Sequence, residues 1–151
     1  MIRIIRKVIY LFLTLIMAFT FANCSSEAQK EEKGNDFTYN ELIGELKNNG
    51  YKVNEIKQTE DDIKHSFLSV PPHFLDVNGE SMFVYEFPDS KTSDSQAETI
   101  SEDGNKVGNA FIEWIDKPYF YKKGKLIVGY AGSSNQILKC LKKILGKPIT
   151  K

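Results

Sequence analysis

His73-Phe74-Leu75-Asp76-Val77-Asn78-Gly79-Glu80-Ser81-Met82-Phe83-Val84-Tyr85-Glu86-Phe87 is the stretch that decides the fold. Asn-Gly between two apolar runs suits the positive dihedrals of a type I′ turn, so it predicts a β-hairpin. A two-residue turn pairs Val77 with Glu80 and Leu75 with Met82. Phe83, Tyr85 and Phe87 alternate with Val84 and Glu86, which is the strand period. A second hairpin is read at residues 119–131, with Lys123-Gly124 as its turn. Residues 109–116 read as a further strand, with Phe111, Glu113 and Ile115 on one face and Ile112 and Trp114 on the other. Residues 67–70 read as a strand that Pro71-Pro72 stops, because neither proline offers a backbone donor to a ladder.

Helices are expected around these strands. Thr38 with Glu41 three residues later is a capping-box pattern, and Phe37 with Leu42 fits the accompanying hydrophobic staple. Leu42, Ile43 and Leu46 supply the apolar stripe, and Asn48-Asn49-Gly50 ends the helix. Pro88-Asp89-Ser90 breaks the strand before it, and Ser93 with Gln96 predicts a short helix reaching about Ile100. The last helix is expected over residues 135–145, closed by Gly146 and Pro148. Ile137, Cys140, Leu141 and Ile144 share one of its faces, so Cys140 reads as a buried small apolar residue. Short hairpin connections imply antiparallel pairing. The expected class is α+β: an antiparallel sheet of about four to five strands built from hairpins, with about three helices in α-β-β-α-β-β-α order.

The first 23 residues have a different character. Arg3, Arg6 and Lys7 precede an apolar run at residues 8–21, and Ala22-Asn23-Cys24 follows. Fourteen apolar residues are signal-peptide size, where a spanning helix wants about 20. The layout resembles the Leu-(Ala/Ser)-(Gly/Ala)-Cys signal of bacterial lipoproteins, with Phe21 in place of Leu and Asn23 in place of Gly or Ala. The resemblance implies a signal peptide at 1–23 and a diacylglyceryl group, with palmitate, on Cys24. It implies a protein anchored by that lipid to the extracytoplasmic face of the cell membrane. Two other readings stay open: release of a soluble protein beginning at Asn23, or retention of the segment as a short anchor. Residues 24–36 are polar, charged and without apolar periodicity, as a flexible tether should be. Residues 37–151 then form a single α+β domain of about 115 residues, with room for one core.

Removing residues 1–23 leaves 128 residues with 17 basic and 20 acidic side chains, a net charge of −3. That balance argues against a nucleic-acid partner, which wants a net basic face. With Cys24 lipidated, Cys140 has no partner for an intramolecular disulfide.

The stretch from Trp114 to Gly132, with Pro118-Tyr119-Phe120-Tyr121, Lys123-Gly124 and Leu126-Ile127-Val128-Gly129-Tyr130, carries a second resemblance. It is similar to small bacterial lipoproteins with a Trp-x3-Pro-His-Phe-Tyr, Lys-x-Gly, Leu-Ile-Val-x-Tyr-x-Gly pattern. Those end in a helix followed by Leu-Gly, as Leu145-Gly146 does here. Tyr119 stands where that pattern often has His, so no role of that His is carried over. The resemblance implies location and fold and no activity or cofactor.

Little in the chain points to catalysis. His65 and His73, with Asp76, are the one nucleus for a small surface hydrolase. No nucleophile elbow, phosphate loop or dinucleotide fingerprint appears, and the two histidines lack the spacing of a zinc site. The expected function is a binding or envelope-support module, not an enzyme, with a secreted inhibitor or binding protein as the alternative. The candidate binding surface is the second hairpin: Tyr119, Tyr121, Lys122, Lys123 and Lys125. Its lysines are expected to be exposed, facing a protein, a glycan or an anionic surface.

Overall fold

The computed structural model describes residues 36–64 and 66–151. The fold is α+β. Helix α1 (Tyr39–Asn48) precedes strand β1 (Val53–Ile56) and a single-turn helix α2 (Glu60–Lys64). The first hairpin is β2 (Pro72–Val77) and β3 (Glu80–Glu86), followed by helix α3 (Ser90–Ala97). A small ribbon of β4 (Lys106–Val107) and β5 (Ala110–Phe111) leads to the second hairpin, β6 (Pro118–Lys123) and β7 (Leu126–Ala131). Helix α4 (Asn135–Leu145) comes last. The main sheet is antiparallel in the order β1-β2-β3-β7-β6.

The Asn78-Gly79 reading holds residue by residue. Val77 pairs with Glu80 and Leu75 with Met82. Asn78 and Gly79 take φ of 54° and 87°, the mirror-image turn that matches strand twist. The capping box on α1 is also present. The Thr38 N–H donates to Glu41 Oε2 at 2.7 Å, and the Glu41 N–H donates to Thr38 Oγ1 at 3.3 Å. The Thr38 hydroxyl, which also donates to Glu41 Oε2 at 2.7 Å, and then the Thr38 N–H hold the Glu41 carboxyl below its ordinary range.

Strand alternation separates two cores. On one face, Leu75, Val77, Met82, Val84, Tyr121, Leu126, Val128 and Tyr130 lie under α1 and α4. Those helices supply Leu42 and Leu46, and Ile137, Cys140, Leu141, Ile144 and Leu145. On the other face, Tyr85, Phe87, Phe120 and Ile127 are buried with Leu68 and Val107. Interior strand β7, between β3 and β6, is buried from Leu126 through Tyr130 because both of its faces are covered. The outer edge of β6 is covered by Ile149 and Thr150. The Ile149 N–H donates to the Phe120 carbonyl at 2.7 Å, and the Phe120 N–H donates to Thr150 Oγ1 at 3.1 Å. This covering blunts an edge that would otherwise template pairing with another chain.

Four local expectations are corrected. Residues 67–70 form bends, and Pro72 begins β2 opposite Tyr85, the first-residue position where a strand tolerates proline. Residues 109–116 carry a strand only at Ala110–Phe111, because Ile112 and the residues after it meet no neighbouring strand. The third helix begins at Ser90. Its cap is Asp89, whose carboxylate accepts the Thr92 N–H at 2.7 Å, whereas Ser93 is buried inside it and donates to the carbonyls of Ser90 and Gly124. The second hairpin turns at Gly124-Lys125, one residue later than expected. Gly124 at φ 53° takes the first turn position, the glycine slot of a type II′ turn. The signal segment, Cys24, the tether up to residue 35, and His65 lie outside the described residues.

Candidate functional site

The expected surface at the second hairpin does not stand open. Tyr121 is 1% exposed and belongs to the helix-covered core. Tyr119 is half-buried against that same core, with Lys117 Nζ 5.4 Å from its ring centroid. Lys122 pairs with Asp94 of α3. Lys125 pairs with Glu86 of β3 at 3.1 Å, and both side chains are mostly covered. Lys123 donates to the Ile144 carbonyl at 2.6 Å near the end of α4 and lies 4.3 Å over the Phe37 ring. The expectation of an exposed basic tip is therefore corrected. The lysines pin the hairpin to three different elements. Replacing Lys122, Lys123 and Lys125 together with Ser should lower stability by about 1–2 kcal/mol in a urea melt, given the modest worth of partly exposed ion pairs. An unchanged midpoint would show that these contacts hold nothing.

Of the histidine nucleus, His65 lies outside the described residues, and His73 and Asp76 are not brought together. His73 and Asp76 point to opposite faces of β2. The His73 ring stacks on Tyr39 at 4.3 Å, and its Nδ1 lies 3.1 Å from Glu55 Oε1. Asp76 accepts the Gly79 N–H at 3.2 Å and so serves the turn. Among the described residues, no three His, Cys, Asp or Glu side chains cluster as metal ligands.

A different site emerges on the second face of the sheet. The connectors over that face cover β3, β7 and β6 but leave a cleft of about 340 Å³ toward β2. Strand β2 contributes Pro72 and Phe74 to its wall, and β3 contributes Phe83 and Tyr85. The connector before β2 contributes Ser66 and Phe67, the one after β5 contributes Trp114, and α2 contributes Asp61. Phe83 is the centre of the arrangement. Its ring stacks on Trp114 with centroids 5.7 Å apart and planes within 5°. Phe120 and Tyr85 meet it edge-on at 5.5 and 6.1 Å. Such offset and edge contacts are the favoured geometries of aromatic pairs.

The backbone makes this packing possible. Gly129 of β7 pairs with Phe83 on one side and Phe120 on the other, so the two rings meet over a residue without a side chain. Trp114 is fixed at its far end, where Nε1–H donates to the Gly104 carbonyl at 2.9 Å. Ser66 donates its hydroxyl to the carbonyls of Leu68 and Val70, which shapes the bend beneath Phe67. Burial pushes the Tyr85 phenol up to about 12, against opposing hydrogen bonds from Ser66 and the Phe67 backbone, so it stays neutral. The cleft is thus apolar and aromatic, with one carboxylate at Asp61.

Alternation puts Phe83 and Tyr85 on one face of β3 and sets Trp114 apart from the exposed Phe111 and Ile115, although Trp114 lies beyond the end of β5. The convergence of Phe83, Tyr85 and Trp114 with Phe67 and Phe74 was not foreseen, because it depends on how the 66–71 connector folds back. The signal available was Gly129, a lone glycine inside an apolar strand, which often marks close approach of a neighbouring group. Compared with family models, curated proteins and solved structures, the chain matches none.

Proposed function

We propose that this chain is a lipid-anchored binding module on the extracytoplasmic face of the cell membrane. The observation that carries the binding role is the preformed aromatic cleft. Ligand sites are typically concave and apolar with few polar groups, and about 340 Å³ lies within their range. The anchor rests on the basic–apolar–Cys24 order and on the polar spacer before α1. No helix among the described residues is long and apolar enough to cross a membrane. The mature charge of −3 favours no nucleic acid. The described lining is apolar and aromatic with one carboxylate, a composition that suits recognition of a ligand.

Expression of the full chain with radiolabelled palmitate tests the anchor. The protein should carry label, sediment with membranes and begin at a blocked Cys24. Cys24→Ala should abolish the label and release or mislocalise the protein, with its melting transition unchanged. A soluble, unlabelled protein beginning at Asn23 would overturn the anchor and support the secreted binding protein instead.

A further inference from the structure

We propose that the cleft binds a small amphipathic organic cation, an apolar or aromatic body carrying one alkylated ammonium group. This rests on the cleft being the binding surface. The walls are ring faces and edges of Phe67, Phe74, Phe83, Tyr85 and Trp114. Aromatic faces attract alkylammonium ions through the ring quadrupole while offering apolar contact to the rest of the molecule. Asp61 is the only charged side chain lining the cleft among the described residues, and it is exposed at the mouth. Tyr85 is held neutral, so the described lining carries no second charge. Among the described lining residues, an anionic ligand would meet a like charge and no basic side chain. A sugar would find few polar partners in the described lining: the Asp61 carboxylate, the Tyr85 phenol and a Ser66 hydroxyl already donating to backbone carbonyls. At about 30 Å³ per water, the cleft volume equals about eleven waters, or roughly eleven heavy atoms of ligand.

Benzyltrimethylammonium has about that size and serves as the probe. Trp114 is the single tryptophan of the chain and lines the cleft, so its emission reports occupancy. The full chain in a sugar-headed detergent is titrated at low salt with this cation, its uncharged carbon isostere neopentylbenzene, and the anion 4-tert-butylbenzoate. The cation should shift Trp114 emission saturably and bind more tightly than either comparator. Asp61→Asn should weaken it about fivefold, the size expected for one solvent-facing charge contact at about 4 Å. Asp61→Glu should restore most of that loss, and both variants should melt as the parent does, because Asp61 is exposed. Equal or tighter binding of the neutral or anionic compound overturns the assignment, as does Asp61→Asn with unchanged affinity. Phosphatidylcholine vesicles carry the same ammonium on a lipid headgroup. A response to vesicles without one to the free cation would overturn the small-molecule assignment. These titrations use purified protein, so their failure leaves the palmitate result standing, and the reverse also holds.

Discussion

Gly129→Ala should destabilise the domain by about 3 kcal/mol, and Gly129→Val by more. A Cβ built on Gly129 falls onto the ring atoms of Phe83. That ring cannot simply swing aside, because Trp114 stacks on it and Phe120 and Tyr85 border it edge-on. Overpacking of this kind costs typically about 1–3 kcal/mol and occasionally more. Replacing a strand glycine normally returns roughly 0.5–1 kcal/mol of chain entropy, which is too little to offset the clash. At about 4 °C per kcal/mol for a domain of this size, Gly129→Ala should melt about 12 °C lower. The double variant Gly129→Ala/Phe83→Leu should recover part of the loss, since a flexible side chain can leave the space the ring held. A coupling energy above about 1 kcal/mol in that cycle would localise the strain to the pair. A Gly129→Ala protein with parent-like stability would mean that the two rings do not meet over β7.

The same glycine shows what the sequence conveys and what it withholds. Asn78-Gly79 specified a hairpin and its register, because a two-residue mirror-image turn leaves only one pairing. Thr38 and Glu41 specified a helix start, because both halves of the capping box are local. The helix over Asn135–Leu145 was legible from its apolar face and from Gly146 beyond it. Residues 109–116 were read as a strand from an alternation that is real: Phe111 and Ile115 are 83% and 103% exposed, whereas Ile112 and Trp114 pack inward. Alternation reports two environments on two sides of an extended chain. It does not supply a neighbour for the ladder, and here none is in reach. Lys122, Lys123 and Lys125 looked exposed because charge and a turn usually mean solvent. Asp94, Glu86 and the Ile144 carbonyl, each distant in sequence, are what draw them down. The cleft failed to show for the same reason. Its wall is assembled from five segments whose mutual placement no local pattern records.

Trp114→Ala should cost about 3 kcal/mol and remove one wall of the cleft. Full truncation of a buried tryptophan costs about 3–5 kcal/mol, and partial exposure of Trp114 places it at the low end. Two contributions can be separated. The stack on Phe83 is apolar, whereas Nε1–H satisfies the carbonyl of buried Gly104. Trp114→Phe keeps a ring against Phe83 and leaves that carbonyl without its donor. It should cost about 1 kcal/mol, the usual worth of one hydrogen bond. Gly104 has no easy substitute there. It sits at φ 72°, and a Cβ on it would lie 2.8 Å from Pro118 Cγ at the start of β6. The indole therefore fastens a tight turn to the sheet from the outside while its face closes the cleft from the inside. Calorimetric titration with benzyltrimethylammonium should show binding weakened in Trp114→Phe and lost in Trp114→Ala, even where both remain folded. If Trp114→Ala melts with the parent, the indole is not packed as described. If it melts lower and binds the cation unchanged, Trp114 is a fastener alone and the wall of the site lies elsewhere.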